Sequence, residues 1–193
     1  RRKTSLTADE EARMINDIHQ RIDNGLLMGA VLNNYAGVEN NIGCHLNWSA
    51  ICFGESESDA TIRYDKAGAG ATHKYRYPVF PSGAMLLRDR YDYLLAKGNT
   101  PEKLSDMPII SKDSDGKIRA AAGDVTAATR RLLGRLQIKT PESRTGSGIA
   151  RSGGTRLLIK NHSAKLTASN IRADRAEVCY MSGRPMPDVT SDC

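Results

Sequence analysis

Ala60-Thr61-Ile62-Arg63-Tyr64, then Asp65-Lys66-Ala67-Gly68-Ala69-Gly70-Ala71-Thr72-His73, then Lys74-Tyr75-Arg76-Tyr77-Pro78-Val79: two β-rich runs of alternating polarity flank a stretch of glycine and alanine. Alternation with a period of two suits a strand that rests one face on a core. Small residues and glycine in the interval suit a chain reversal. The stretch predicts an antiparallel hairpin over residues 60–79 with residues 65–73 as a flexible loop.

Outward from the hairpin the period changes to that of helices. Upstream, Thr7 and Glu10 form a T-x-x-E capping box ahead of Met14, Ile15, Ile18 and Ile22, and Asn24-Gly25 stops that helix. Leu26 to Tyr35 reads as a buried helix ending before Gly37, and Asn40 to Trp48 as a short helix that turns Trp48 and Ile51 into the core. Downstream, Ser82 is the expected cap of a helix through Leu86, Leu87, Tyr91, Leu94 and Leu95. Residues 98–117 read as loop with one apolar run, Met107 to Ile110. Asp124 is the expected cap of a helix that places Leu132, Leu133 and Leu136 on one face. Residues 140–155, with Gly146, Gly148, Gly153 and Gly154 among Ser, Thr and Arg, read as a flexible basic loop. Two further helices are expected at Leu157 to Ile171 and Asp174 to Ser182. The fold class this predicts is mainly α with a small antiparallel β-sheet (α+β), in one domain spanning residues 1–193.

The totals agree with a folded, anion-seeking domain. A chain of 193 residues with 39% hydrophobic residues has enough apolar side chain for one core. Its 28 Lys+Arg against 22 Asp+Glu leave a net charge of +6, which favours nucleic acid among partners. The four cysteines, Cys44, Cys52, Cys179 and Cys193, form no CxxC. Cys44, His45 and Cys52 lack a fourth ligand nearby, so no metal site is expected and the thiols read as reduced. Gly68 and Gly70 do not make a dinucleotide fingerprint, since no helix opens after them. No signal peptide and no apolar run of membrane-spanning length stands in the sequence, and a cytoplasmic location is expected. The chain opens on Arg1-Arg2-Lys3, which reads as an excised fragment.

Four local stretches carry a family resemblance. Leu6-Thr7-Ala8-Asp9-Glu10-Glu11 resembles an "LT-x-x-E" opening. Gly37-Val38-Glu39 with Leu46-Asn47-Trp48-Ser49-Ala50-Ile51 is similar to "GLR…LRWSDI". His162-Ser163-Ala164-Lys165-Leu166-Thr167-Ala168-Ser169 resembles "HxLRHTxAT", and Met181-Ser182-Gly183-Arg184 with Asp188-Val189-Thr190-Ser191 resembles "LLGH…xxTTxxY". Taken in this order they resemble the C-terminal catalytic domain of the tyrosine recombinases, the phage-integrase family, over nearly the whole chain. The family's N-terminal DNA-clamp domain has no counterpart in these residues.

The resemblance implies DNA transesterification, in which a tyrosine attacks a phosphate and a 5′-hydroxyl later reverses the link, without a metal or other cofactor. Two arginines and flanking histidines stabilise the charge that grows on phosphorus, and a hairpin lysine protonates the leaving oxygen. Carried over position by position, Lys66 is the hairpin lysine, with Lys74 as a second candidate. His162 keeps the histidine of the HxxR pair. Lys165 stands where its arginine belongs, retaining charge but losing the bidentate fork. Arg184 stands where a histidine follows the glycine. Glu39 replaces the first arginine, and a carboxylate there repels a phosphate. The nucleophile falls at or just beyond Cys193, since no tyrosine follows Tyr180.

The catalytic positions implied are therefore Lys66, His162, Lys165, Arg184 and Cys193, with Lys74, Arg144, Arg151 and Arg156 as further DNA contacts. Each has a plainer reading: a histidine opening a helix caps or packs, and lysines and arginines in Gly-rich loops keep them solvated. The implied partner is double-stranded DNA, with self-association on it a further option; no membrane and no small-molecule cofactor is implied. Three functions stay open: a DNA-binding domain with a degenerate active site from a mobile element, an active recombinase fragment whose tyrosine lies beyond residue 193, and a protein-interaction module on the same fold.

Overall fold

The structure, a computed structural model, describes residues 6–68 and 71–138, giving the backbone alone for residues 65–68 and 71–77. Helix α1 (Ala8–Gln20) opens on the expected capping box. The Thr7 hydroxyl accepts from the Glu10 amide at 3.2 Å, and the Glu10 carboxylate accepts from the Thr7 amide at 2.9 Å. Its inner face buries Met14 and Ile18.

Helix α2 (Leu27–Ala36) is buried along all ten residues and is the centre of the molecule. A helix apolar on every side needs neighbours all round, and α4 (Pro81–Ala96) and α6 (Ala122–Arg135) pack directly against it. Two glycines set the spacing. A Cβ on Gly29 would lie 2.2 Å from Val125 Cγ1 of α6, and one on Gly83 of α4 would lie 2.3 Å from Tyr35 Cβ. At both contacts one backbone comes within touching distance of the other helix's side chain.

After α2 the chain turns through Gly37 in the left-handed region (φ 65°) into α3 (Asn40–Gly43), then into a 3₁₀ turn at Trp48–Ala50. The expected continuous helix from Asn40 to Trp48 is therefore corrected. It breaks after Gly43, and Trp48 and Ile51 still reach the core, at 3% and 8% exposure.

The sheet has three antiparallel strands in the order β1 (Ile51–Phe53), β2 (Ala60–Gly68), β3 (Ala71–Pro78). The expected loop over residues 65–73 is corrected: the ladder continues through Asp65↔Lys74 and Lys66↔His73 to Gly68↔Ala71. Cross-strand hydrogen bonding carries a run of low β-propensity that the sequence pattern marks as loop. Strand β1 has three residues, too few to alternate visibly.

Three further expectations shift. Helix α4 starts at Pro81 with Phe80 as its N-cap, so Ser82 lies in the first turn rather than at the cap. Within the expected loop 98–117 lies α5 (Pro101–Ser105), with the Thr100 hydroxyl accepting from the Lys103 amide. Asp124 is the third residue of α6, not its cap; its carboxylate accepts from the Ala121 amide at 2.9 Å and pairs with Lys112 at 2.9 Å.

The outer edge of the bundle is tied by charge. Asp17 of α1 accepts from Arg135 Nε of α6 at 3.0 Å and lies 3.5 Å from Arg21, while Arg13 donates to the Leu136 carbonyl at 2.6 Å. The Arg135 hydrogen bond, then the charges of Arg135 and Arg21, hold the Asp17 carboxyl below its ordinary value against the opposing effect of burial. A carboxyl lowered in the folded state stabilises it above the unfolded pKa, and that stability is lost as pH falls through the folded value. Asp17→Asn is therefore expected to lower stability at neutral pH and to flatten the loss of stability below about pH 4. Urea denaturation at several pH values reads this out, and parallel curves for the two proteins at all pH values would contradict it.

Candidate nucleic-acid interface

The hairpin β2–β3 concentrates positive charge. Between Ala60 and Pro78 stand Arg63, Lys66, Lys74 and Arg76 against the single carboxylate Asp65. These four cations less one anion make +3, half of the chain's net +6. The register opposes Arg63 to Arg76 directly across the ladder, and Arg63 is exposed. Like charges in opposed positions destabilise a sheet on their own; a polyanion laid over them reverses the sign of that contribution.

The two lysines singled out in the sequence sit on neighbouring rungs. Lys66 stands opposite His73 and Lys74 opposite Asp65. They are therefore strand residues one step apart in register rather than residues of a long loop. His73 is not singled out by the sequence; only the register brings it level with Lys66.

Glu39 occupies a rigidly held position. It is half-buried at the N-cap of α3, two residues past the left-handed Gly37, and its carbonyl accepts from Ile42 at 3.0 Å and Gly43 at 2.8 Å. A buried amide network fixes the backbone around it. Asn33, 4% exposed, donates to the carbonyls of Gly29 and Val38 at 3.0 Å each and to Asn40 Oδ1 at 2.7 Å. Asn40 in turn donates to Thr126 Oγ1 of α6 at 3.2 Å. Side-chain amides thus stitch the end of α2 and the starts of α3 and α6 to one another.

Arg119 reaches the following segment, but its guanidinium is engaged with the Cys44 carbonyl at 2.7 Å and with Asn47 Oδ1. It braces the chain after α3. Cys44 beneath it is buried; burial first, then the Asp124 carboxylate, pushes its thiol up, with Arg119 opposing. Such a thiol is a poor nucleophile. Cys52 is half-buried and also free. Among the described residues no group of three His, Cys, Asp or Glu is placed to hold a metal ion, and no helix is long and apolar enough to cross a membrane.

The remaining sequence-derived candidates, His162, Lys165, Arg184 and Cys193 with Arg144, Arg151 and Arg156, lie outside the described residues, as do the expected basic loop 140–155 and the two later helices. The structure sets Lys66 and Lys74 on adjacent rungs of one hairpin and fixes Glu39 separately.

No protein-family model and no curated protein matches this sequence. Solved structures do match in three dimensions. XerA recombinase superposes with a TM-score of 0.67 at 14% identity, over 94% of this chain and 60% of that one. The Tn1549 transposon integrase in complex with a circular intermediate DNA gives 0.59 at 12% identity, over 94% of this chain and 62% of that one. A lambda integrase dimer bound to a COC′ core site gives 0.55 at 16% identity, over 98% and 61%. The chain has the fold of the tyrosine-recombinase catalytic domain. It spans about three-fifths of the length of each of these proteins.

Proposed function

We propose that this chain is a single tyrosine-recombinase-like domain, of the kind carried by mobile elements, that binds duplex DNA and does not cleave it. The observation that carries the reading is the hairpin: half of the net positive charge on two paired strands, with Arg63 opposed to Arg76. In the family pattern this hairpin holds the phosphate-contacting lysine, and Lys66 and Lys74 take that part here. In that pattern His162, Lys165 and Arg184 are further phosphate contacts, and Arg144, Arg151 and Arg156 are candidate DNA contacts. The solved neighbours that hold DNA, the Tn1549 and lambda integrases, support the partner class. Glu39 supports binding without cleavage: a carboxylate stands where that pattern places a phosphate-clamping arginine, on a backbone that the Asn33–Asn40 network keeps from shifting.

Fluorescence anisotropy with labelled duplex DNA tests the binding half. Binding is expected in the micromolar range or weaker, at low salt. Engaging about four phosphates gives a log–log salt slope near −3.6, or roughly a 10²-fold loss between ~50 and ~200 mM salt. The double substitution Lys66→Glu with Lys74→Glu should weaken binding and flatten that slope. Absence of binding at ~50 mM salt, or binding indifferent to salt, contradicts the proposal.

A further inference from the structure

The sheet is electrically polarised along β2. The basic hairpin occupies one end. At the other, β2 begins after the turn Gly54–Asp59, where Glu55, Glu57 and Asp59 are all exposed and no Lys or Arg intervenes. The nine residues of β2 separate this turn from the hairpin tip by about 30 Å. Among the described residues the guanidinium of Arg88 reaches the turn, donating to the carbonyls of Gly54 at 3.2 Å and Ser56 at 3.3 Å and lying 4.5 Å from the Phe53 ring centre, one cation against three carboxylates. A phosphate backbone is repelled here.

Among the described residues strand β1, which leads into this turn, pairs with β2 on one side only. The Gly54 amide donates to Asp59 at 2.9 Å, which sets the phase of the ladder. In that phase the backbone groups of Ile51 and Phe53 turn away from β2. The Ile51 amide is satisfied by Trp48, whereas the Phe53 amide and the Ile51 and Phe53 carbonyls meet no hydrogen-bond partner among the described residues. Beside this open edge lies a shallow cavity of about 240 Å³, lined chiefly by Trp48, Ile51, Phe53, Tyr91 and Pro101. Its aromatic wall is ordered edge to face, with Tyr91 5.4 Å from Trp48 and 5.5 Å from Phe53. The Trp48 indole N–H is buried and meets no acceptor among the described residues.

We propose that the β1 edge receives an extended basic segment of a partner protein. The segment adds a strand to β1, sets an apolar side chain in the aromatic slot, and places Lys or Arg beside Glu55, Glu57 and Asp59. Antiparallel pairing of two copies through β1 would set each acidic turn beside Trp48, Ser49 and Ala50 of the other copy, where no Lys or Arg stands, and so charge complementarity does not select β1 of a second copy as the occupant.

The test uses the whole 193-residue chain and a labelled peptide, Arg-Val-Lys-Leu-Lys-Val-Arg. The expected result is saturable binding that a scrambled peptide of the same composition and an N-methylated one do not reproduce, and that Glu55→Lys with Glu57→Lys weakens by at least ~10-fold. These two side chains are exposed, and circular dichroism checks that the variant keeps the fold. Absence of peptide binding, or equal binding of the scrambled or N-methylated peptide, overturns the proposal. Light scattering that shows the chain dimerising as it releases peptide assigns the edge to a second copy, and overturns it as well.

Discussion

Replacing Arg90 by methionine is expected to destabilise the fold by about 3 kcal/mol or more, and to lower Tm by roughly 6–12 °C. Arg90 is 0% exposed, the largest fully buried side chain among the described residues. Its guanidinium donates to the carbonyls of Ile22 at 3.0 Å and Asp23 at 2.9 Å, where α1 turns into α2. It also donates to Ser111 Oγ at 3.2 Å in the long connection before α6. One planar fork thus joins three segments distant in sequence. Burial, the largest effect, disfavours its charged form, and Tyr93, Asp113, Asp23 and Asp115 oppose that. Methionine fills similar volume and leaves the carbonyls unmet, each costing about 1–3 kcal/mol. Arg90→Lys keeps the charge, loses the fork, and should fall between. Urea denaturation measures both, and a methionine variant as stable as the parent would show that these bonds contribute nothing net.

No covalent protein–DNA adduct is expected when the chain is incubated with a nicked suicide substrate and run on a denaturing gel. Recombinase chemistry builds negative charge on phosphorus, and losing one preorganised donor typically costs about 10²–10³-fold in rate. On the proposed reading the loss at Glu39 is larger, because an anion stands where the family pattern has a cation. Two unit charges ~4 Å apart near a protein surface interact by about 4 kcal/mol. Lys165 adds a second deficit, a point charge where the pattern asks for a fork. On the proposed reading the nucleophile falls at or just beyond Cys193, and a thiol there would be a soft nucleophile poorly matched to phosphorus. Glu39→Arg alone should tighten DNA binding and still give no adduct, since two deficits remain. A covalent band from the unmodified chain would refute this, and its disappearance in Cys193→Ser would name the thiol as the attacking group.

What the sequence discloses depends on the range of the forces involved. The Thr7–Glu10 box, the end of α2 at Gly37 and the burial of Trp48 follow from local chemistry, and the structure bears them out. The strand character of residues 65–68 and 71–73 does not follow from local chemistry, because alanine and glycine are held there by their partners across the ladder. Phe80 caps α4 instead of Ser82 because Pro81 presets the first helical turn. Arg90 sits in a helix read for its leucines, and its buried role is invisible in sequence because its acceptors are mostly main-chain carbonyls. For the candidate site, the hairpin lysines were legible as residues, while their opposition to His73 and Asp65 exists only as register. Glu39 was legible as a departure from a motif; the amide network that pins its backbone joins residues from three helices and has no linear signature.

The most direct measurement is amide hydrogen exchange of the whole chain with and without saturating duplex DNA. Binding through the basic hairpin predicts slowed exchange across residues 60–78, with the acidic turn 54–59 unchanged. No slowing in the hairpin, or slowing confined to the acidic turn and α5, would contradict it.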